Sequence, residues 1–339
     1  MRAIALISAV FAAMAAAVAA EAADVPGFAT RAIEAGEGRS VDVAVWYPAA
    51  AGGTPLRVGA GPVFEGVAAM EGAPIADGRY PLVLIAHGGL RSAPNQANWL
   101  AAALAADGFV AAIVRGPALG PADAAMATDE IGRRPGDLSA ALDALTADPA
   151  WQDRIDADAV GAVGLFLGGT SALMLAGAEI DPVRYAASCD APDGGPDCRW
   201  FAASGIDLHQ VDTAALAGPH GDPRIAAVVA IDAELVDSLS PGSLAAIDTD
   251  VTLVSLGDDP GPGSRLAEAI PGAAAVAIAG ASHVSAFAVC TPKGPAILAE
   301  EGEDGALCLE EGGSARADVH EAIAGAVIAA LTAALKDQP

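Results

Sequence analysis

Six short, almost continuously apolar runs recur along this chain, at residues 82–86, 109–114, 159–164, 225–231, 251–256 and 274–278. A run of five to seven apolar residues with no alternation fits a strand covered on both faces, the usual state of a parallel sheet. Helical patterns separate the runs. One spans 95–106 and stops at Asp107-Gly108; another opens at Pro135-Gly136-Asp137 and continues through Leu138, Leu142 and Leu145. A third covers 168–178, and a closing helix over 318–336 carries Val319, Ile323, Val327 and Leu331 on one face. Strand and helix in regular alternation predict an α/β fold, a mostly parallel central sheet with helices on both faces.

The 339 residues suffice for one large core, and with 53% apolar but only 4% aromatic residues that core is built from Ala, Val, Leu and Ile. Residues 40–47 alternate, with Val41, Val43 and Val45 on one face, and read as an early strand; 52–78 are loop-rich and resist assignment. Residues 179–224 break the rhythm and are expected to form an insertion over one end of the sheet. Asp190, Asp193 and Asp197 within it do not have the spacing of a calcium loop and read as a solvated turn.

Residues 1–23 have the pattern of a secretory signal: Arg2, an apolar run over 4–20, and small-residue cleavage sites at Ala17-Val18-Ala19 or Ala20-Glu21-Ala22. The run is too short and alanine-rich for a membrane span, which leaves a single domain over 24–339. The expected location is secreted, periplasmic in a Gram-negative cell. Four cysteines, Cys189, Cys198, Cys290 and Cys308, suit two disulfides in an oxidising compartment. Three pairings exist; the sequence-local one closes the shortest loops. Paired C-x-x-C spacing is absent, which argues against a structural zinc site. The net charge of −26 repels nucleic acid and anionic lipid, so neither is an expected partner. No G-x-G-x-x-G follows a strand and no phosphate loop occurs, so no cofactor or metal is expected.

In sheets of this kind ligands lie beyond the carboxyl ends of the strands. The polar residues of interest fall there: His87, Gly88, Gly89 and Leu90 after one strand, then Asp232, Asp258 and His283 after later ones. Between them lies Val163-Gly164-Leu165-Phe166-Leu167-Gly168-Gly169.

The chain resembles α/β-hydrolases of the dienelactone-hydrolase-like group, close to the branch related to platelet-activating-factor acetylhydrolases. The resemblance rests on an ordered set: V-W-Y-P at 45–48, P-L-V-L-I-A-H-G-G at 81–89, R-P-G-D-L-S-A-A-L-D-A-L at 134–145, V-G-L-F-L-G-G-T at 163–170, V-V-A-I-D-A at 228–233 and G-A-S-H-V-S-A-F at 280–287. It implies an α/β-hydrolase fold and a small ester or lactone as ligand. It also implies His283 as general base and Asp232 as its acid partner, with Asp258 as the alternative acid. The Leu167 N–H and the loop of Gly88, Gly89 and Leu90 would be oxyanion donors, with His87 shaping that loop.

One position departs from the pattern. Phe166 stands where the group carries the nucleophilic serine or cysteine of G-x-S-x-G. A benzyl group has neither proton nor lone pair, and its bulk points to where a substrate carbonyl must sit. Thr170 and Ser171 lie about a helical turn further on, too far to serve His283. Three readings follow: a scaffold that binds a ligand or partner without turnover, an enzyme that uses water or an unrecognised nucleophile, and a point change from serine in an otherwise active hydrolase. His209, His220 and His320 read as surface residues. Trp200 and Phe201 read as either pocket lining or core.

Overall fold

The computed structural model describes residues 25–36, 38–91, 94–191, 195, 197–258, 261–301, 305–309 and 314–336. The expected signal sequence and Asp193 lie outside the described residues. The elements are β1 (Gly27–Glu34), β2 (Ser40–Tyr47), β3 (Thr54–Val58), β4 (Val67–Glu71), β5 (Tyr80–Ala86), α1 (Asn98–Ala106), β6 (Val110–Arg115), α2 (Ala127–Ala147), β7 (Ile155–Leu165) and α3 (Leu167–Leu175). There follow α4 (Pro182–Ala187), α5 (Cys198–Ala203), β8 (Ile225–Ile231), α6 (Pro241–Leu244), β9 (Asp250–Leu256), α7 (Gly261–Ala269), β10 (Ala274–Ile278), α8 (Gly294–Glu300) and α9 (Arg316–Leu335).

Ten strands form one sheet in the order β10-β9-β8-β7-β5-β6-β2-β1-β4-β3. The run from β10 to β6 is parallel throughout; β2 joins β6 antiparallel and begins a mixed edge. Alternate residues of β5 explain the unbroken apolar run. Leu82, Leu84 and Ala86 enter the core shared with α2 and α3, while Val83 and Ile85 enter the core shared with α1 and α9. Helices therefore cover both faces. In α9, which is long and apolar enough to cross a membrane, Val319, Ile323, Val327 and Leu331 are buried against the sheet.

Three local expectations need correction. Residues 54–58 and 67–71, unassigned from sequence, pair as antiparallel strands at the sheet edge. Their side chains are largely exposed, so no strong apolar pattern marks them. The helix expected to open at Pro135 instead starts at Ala127 and carries Pro135 inside it. The Arg39 guanidinium bonds both Glu130 and Asp137 on that helix at 2.7–2.8 Å, tying the turns before and after the proline to one cation. Buried tertiary contacts on both sides outweigh the single backbone bond that proline removes. His320, read as a surface residue, is buried: its Nε2 lies 2.9 Å from the Phe287 carbonyl and its ring stacks on Trp99 at 3.9 Å.

Residues 179–224 hold the short helices α4 and α5, joined by the Cys189–Cys198 disulfide; Cys290–Cys308 ties the segment around α8. Both bridges follow the sequence-local pairing.

Candidate active site

Chain order reverses beside β5: β6 lies on one side of it and β7 on the other. The loops leaving β5 and β7 diverge at this point, and a crevice opens between them. The loop after β5 carries His87, Gly88, Gly89 and Leu90. The turn from β7 into α3 carries Phe166.

Phe166 has φ 55° and ψ −118°, a strained backbone for a residue with a side chain. Strand–helix packing imposes it. A Cβ on Gly164 would collide with the Gly168 carbonyl, and one on Gly168 would collide with the Ala86 carbonyl, so neither position admits another residue in this turn. The Phe166 N–H bonds the Ile231 carbonyl at 2.8 Å, and its carbonyl accepts from Gly169 and Glu234. Asp232 also has positive φ, at 47°. Leu167 opens α3, so its N–H has no acceptor within the helix.

The Phe166 ring is buried. It lies 3.9 Å from the His283 ring and 5.7 Å from that of Phe287, centroid to centroid. A Cβ on Gly88 would stand only 2.6 Å from its Cδ2. The benzyl group thus fills the gap between the glycine loop and His283. A cavity of about 160 Å³ remains beside it, bounded by Gly88, Gly89, Leu90, Phe166 and His283.

His283 Nδ1 and Asp232 Oδ2 are 3.4 Å apart, a long but aligned contact. Asp258 is exposed on the turn after β9. Both hydroxyls that follow the turn in α3 are engaged: Thr170 donates to the Glu234 carbonyl, and Ser171 to the Leu167 carbonyl at 3.2 Å.

Two residues not singled out from sequence shape the site. Arg134, buried in α2, donates to the carbonyls of His87 at 3.1 Å and Gly89 at 2.5 Å. These bonds turn both carbonyls toward α2. Burial, with the Arg134 cation adding to it, depresses His87 to about 3; its ring contacts the Gly88 carbonyl at 2.9 Å through Nδ1. Glu234 is the second. Burial pushes its carboxyl up to about 7, with Asp197 and Asp232 adding to the rise and His283 and Arg134 opposing it. No sequence signal marked Glu234, which follows Asp232 by two residues in an unremarkable loop. Arg134 sat within a quoted motif but had no assigned role.

A larger cavity of about 870 Å³ meets the smaller one at Asp197, Glu234 and His283. Its apolar wall includes Ile131, Leu167, Tyr185 and Phe201, so the disulfide-bridged insertion roofs it. Trp200 instead packs outside it, donating its Nε1–H to the Pro121 carbonyl at 3.0 Å under the Arg91 guanidinium. His209 is exposed and paired with Asp190; His220 is half-buried.

No family model matches the chain, and no curated protein matches it. Among solved structures it is similar to a ferulic acid esterase from Streptomyces cinnamoneus, with TM-score 0.61, 17% identity, and coverage of 95% of this chain and 93% of that one. A dienelactone hydrolase from Anabaena variabilis is more distant, with TM-score 0.45, 18% identity, and coverage of 82% and 95%. The fold is that of the α/β-hydrolases.

Proposed function

We propose that this protein is an exported ligand-binding member of the ester- and lactone-hydrolase class whose elbow no longer supports turnover. The observation that carries this is the Phe166 ring, held in the nucleophile position and packed 3.9 Å from the His283 ring. It supplies no attacking atom and fills the space that a tetrahedral intermediate needs. Loss of one triad member elsewhere leaves on the order of 10³–10⁴-fold acceleration over water, from the oxyanion hole and substrate binding. A ring in the carbonyl's place removes that remainder too, which disfavours a water-based route.

Around Phe166 the other parts keep hydrolase positions. His283 takes the base position and Asp232 the acid position, supported by their 3.4 Å contact; exposed Asp258 has no such support. The Leu167 N–H and the loop of Gly88, Gly89 and Leu90 take the oxyanion position, with Arg134 fixing the loop's carbonyls. The two disulfides support a location outside the cytoplasm. Turnover of p-nitrophenyl butyrate tests the reading: the native chain should hydrolyse it at the buffer rate. Hydrolysis by the native chain that disappears in His283→Ala would show that the site is catalytic and refute it.

A further inference from the structure

The larger cavity has the dimensions of a small-molecule site, within the roughly 300–1,000 Å³ usual for one. Four carboxyl groups reach its wall, at Asp197, Asp232, Glu234 and Asp237. Three have partners: Asp197 with Arg91 at 3.1 Å, Asp232 with His283 at 3.4 Å, and Asp237 with Arg265 at 3.0 Å. Of these four carboxyl groups, that of Glu234 alone has no hydrogen-bond donor among the described residues. It lines both cavities where they meet, beside the Phe166 and His283 rings. Glu234 is half-buried, and a cationic group entering the cavity would give its carboxyl group the partner it lacks.

We infer that the cavity binds a small apolar molecule carrying a protonated amine, its ammonium on the Glu234 carboxylate and its apolar body against Leu167, Tyr185 and Phe201. This rests on the ligand-binding reading above and names the chemical class of the ligand. The surrounding charge favours a cation: the groups facing Glu234 are Asp232, Asp197, Arg134 and His283, with Arg184 and Asp237 further along the wall. Arg134 is engaged with two backbone carbonyls, Arg184 pairs with Asp181 at 3.9 Å and with the Asp237 carbonyl at 3.4 Å, and among the described residues no guanidinium bonds the Glu234 carboxyl. Because Glu234 gives up its proton only near pH 7, binding of an ammonium should strengthen as pH rises through that value.

Isothermal calorimetry on the native full chain, with n-hexylammonium, 1-hexanol and hexanoate as probes, tests this. At pH 8 hexylammonium should bind at least about tenfold more tightly than hexanol, and hexanoate more weakly than either. The preference should shrink to about twofold or less at pH 5.5 and in Glu234→Gln at pH 8, and persist in Asp250→Asn, which removes an exposed charge elsewhere. Circular dichroism confirms that each variant is folded. Hexanol binding as tightly as hexylammonium, a preference unchanged in folded Glu234→Gln, or no hexylammonium binding up to about 20 mM would each overturn the inference. Binding is read on the native chain, so ester turnover by that chain would count against the preceding reading and leave this result intact.

Discussion

Replacing Gly88 with alanine, in the native chain and in Phe166→Ala, measures whether the aromatic ring sits against the glycine loop. Gly88 lacks a left-handed φ, so its backbone accepts alanine. The added methyl would meet Phe166 Cδ2 at 2.6 Å, too close for any real contact, while its next neighbour, the Leu165 carbonyl oxygen, is at 3.4 Å, an ordinary one. Relief requires the buried ring to move, and such overpacking costs about 1–3 kcal/mol. Phe166→Ala alone should cost about 3 kcal/mol, the low end for a buried phenylalanine, because the ring borders an open cavity of about 160 Å³. In the Phe166→Ala background the Gly88 methyl enters vacated space, so its cost should fall to within ~0.5 kcal/mol of zero. Urea unfolding of the four proteins, followed by circular dichroism and compared at constant m-value, gives the coupling directly. An equal cost for Gly88→Ala in both backgrounds would refute the placement of the ring between the loop and His283.

Four further outcomes follow from the same geometry. Arg134→Met leaves the His87 and Gly89 carbonyls without their buried donor and should destabilise by about 2–4 kcal/mol, read as a lower urea midpoint. Glu234 is raised to about 7 in the folded state, so its contribution is fully present below about pH 4.5, the unfolded value, and is lost as pH rises through 7. Glu234→Gln should therefore stabilise the protein at pH 8, by at most about 3 kcal/mol, and change little at pH 4. Buried His87 and His320 act oppositely: held down to about 3 and about 4, they stabilise above pH 6.5 and should cost roughly 3 kcal/mol each by pH 4, seen as a falling unfolding free energy. Reduction of the two bridges, which close loops of sequence separation 9 and 18, should lower stability by about 2.5–3 kcal/mol each, with intact mass showing no free thiol beforehand.

The sheet was legible because burial on both faces writes itself as unbroken apolar runs such as 82–86, and the elbow because its glycines obey a steric need that the sequence states outright. The edge strands at 54–58 and 67–71 were not, since half-exposed short strands carry no such stamp. Pro135 misled because the Arg39 bonds to Glu130 and Asp137 span some ninety residues or more, beyond any local pattern. His320 misled for a similar reason: its partners, Trp99 and Phe287, come from other elements. The sequence reading grouped His87, the glycine loop, Phe166, Asp232 and His283, because strand ends in a parallel sheet converge. It missed Glu234, whose importance lies in what surrounds its carboxyl group rather than in its neighbours along the chain.

Under the proposed function, Phe166 is the one residue that separates this site from a working serine hydrolase. Fluorophosphonate labelling of the native chain and of Phe166→Ser, read by intact mass and peptide mapping, tests it most directly. The native chain should remain unmodified, and Phe166→Ser should gain one adduct at position 166 that is lost when His283→Ala is added. An adduct on the native chain would contradict the claim, as would a folded Phe166→Ser protein that stays unlabelled.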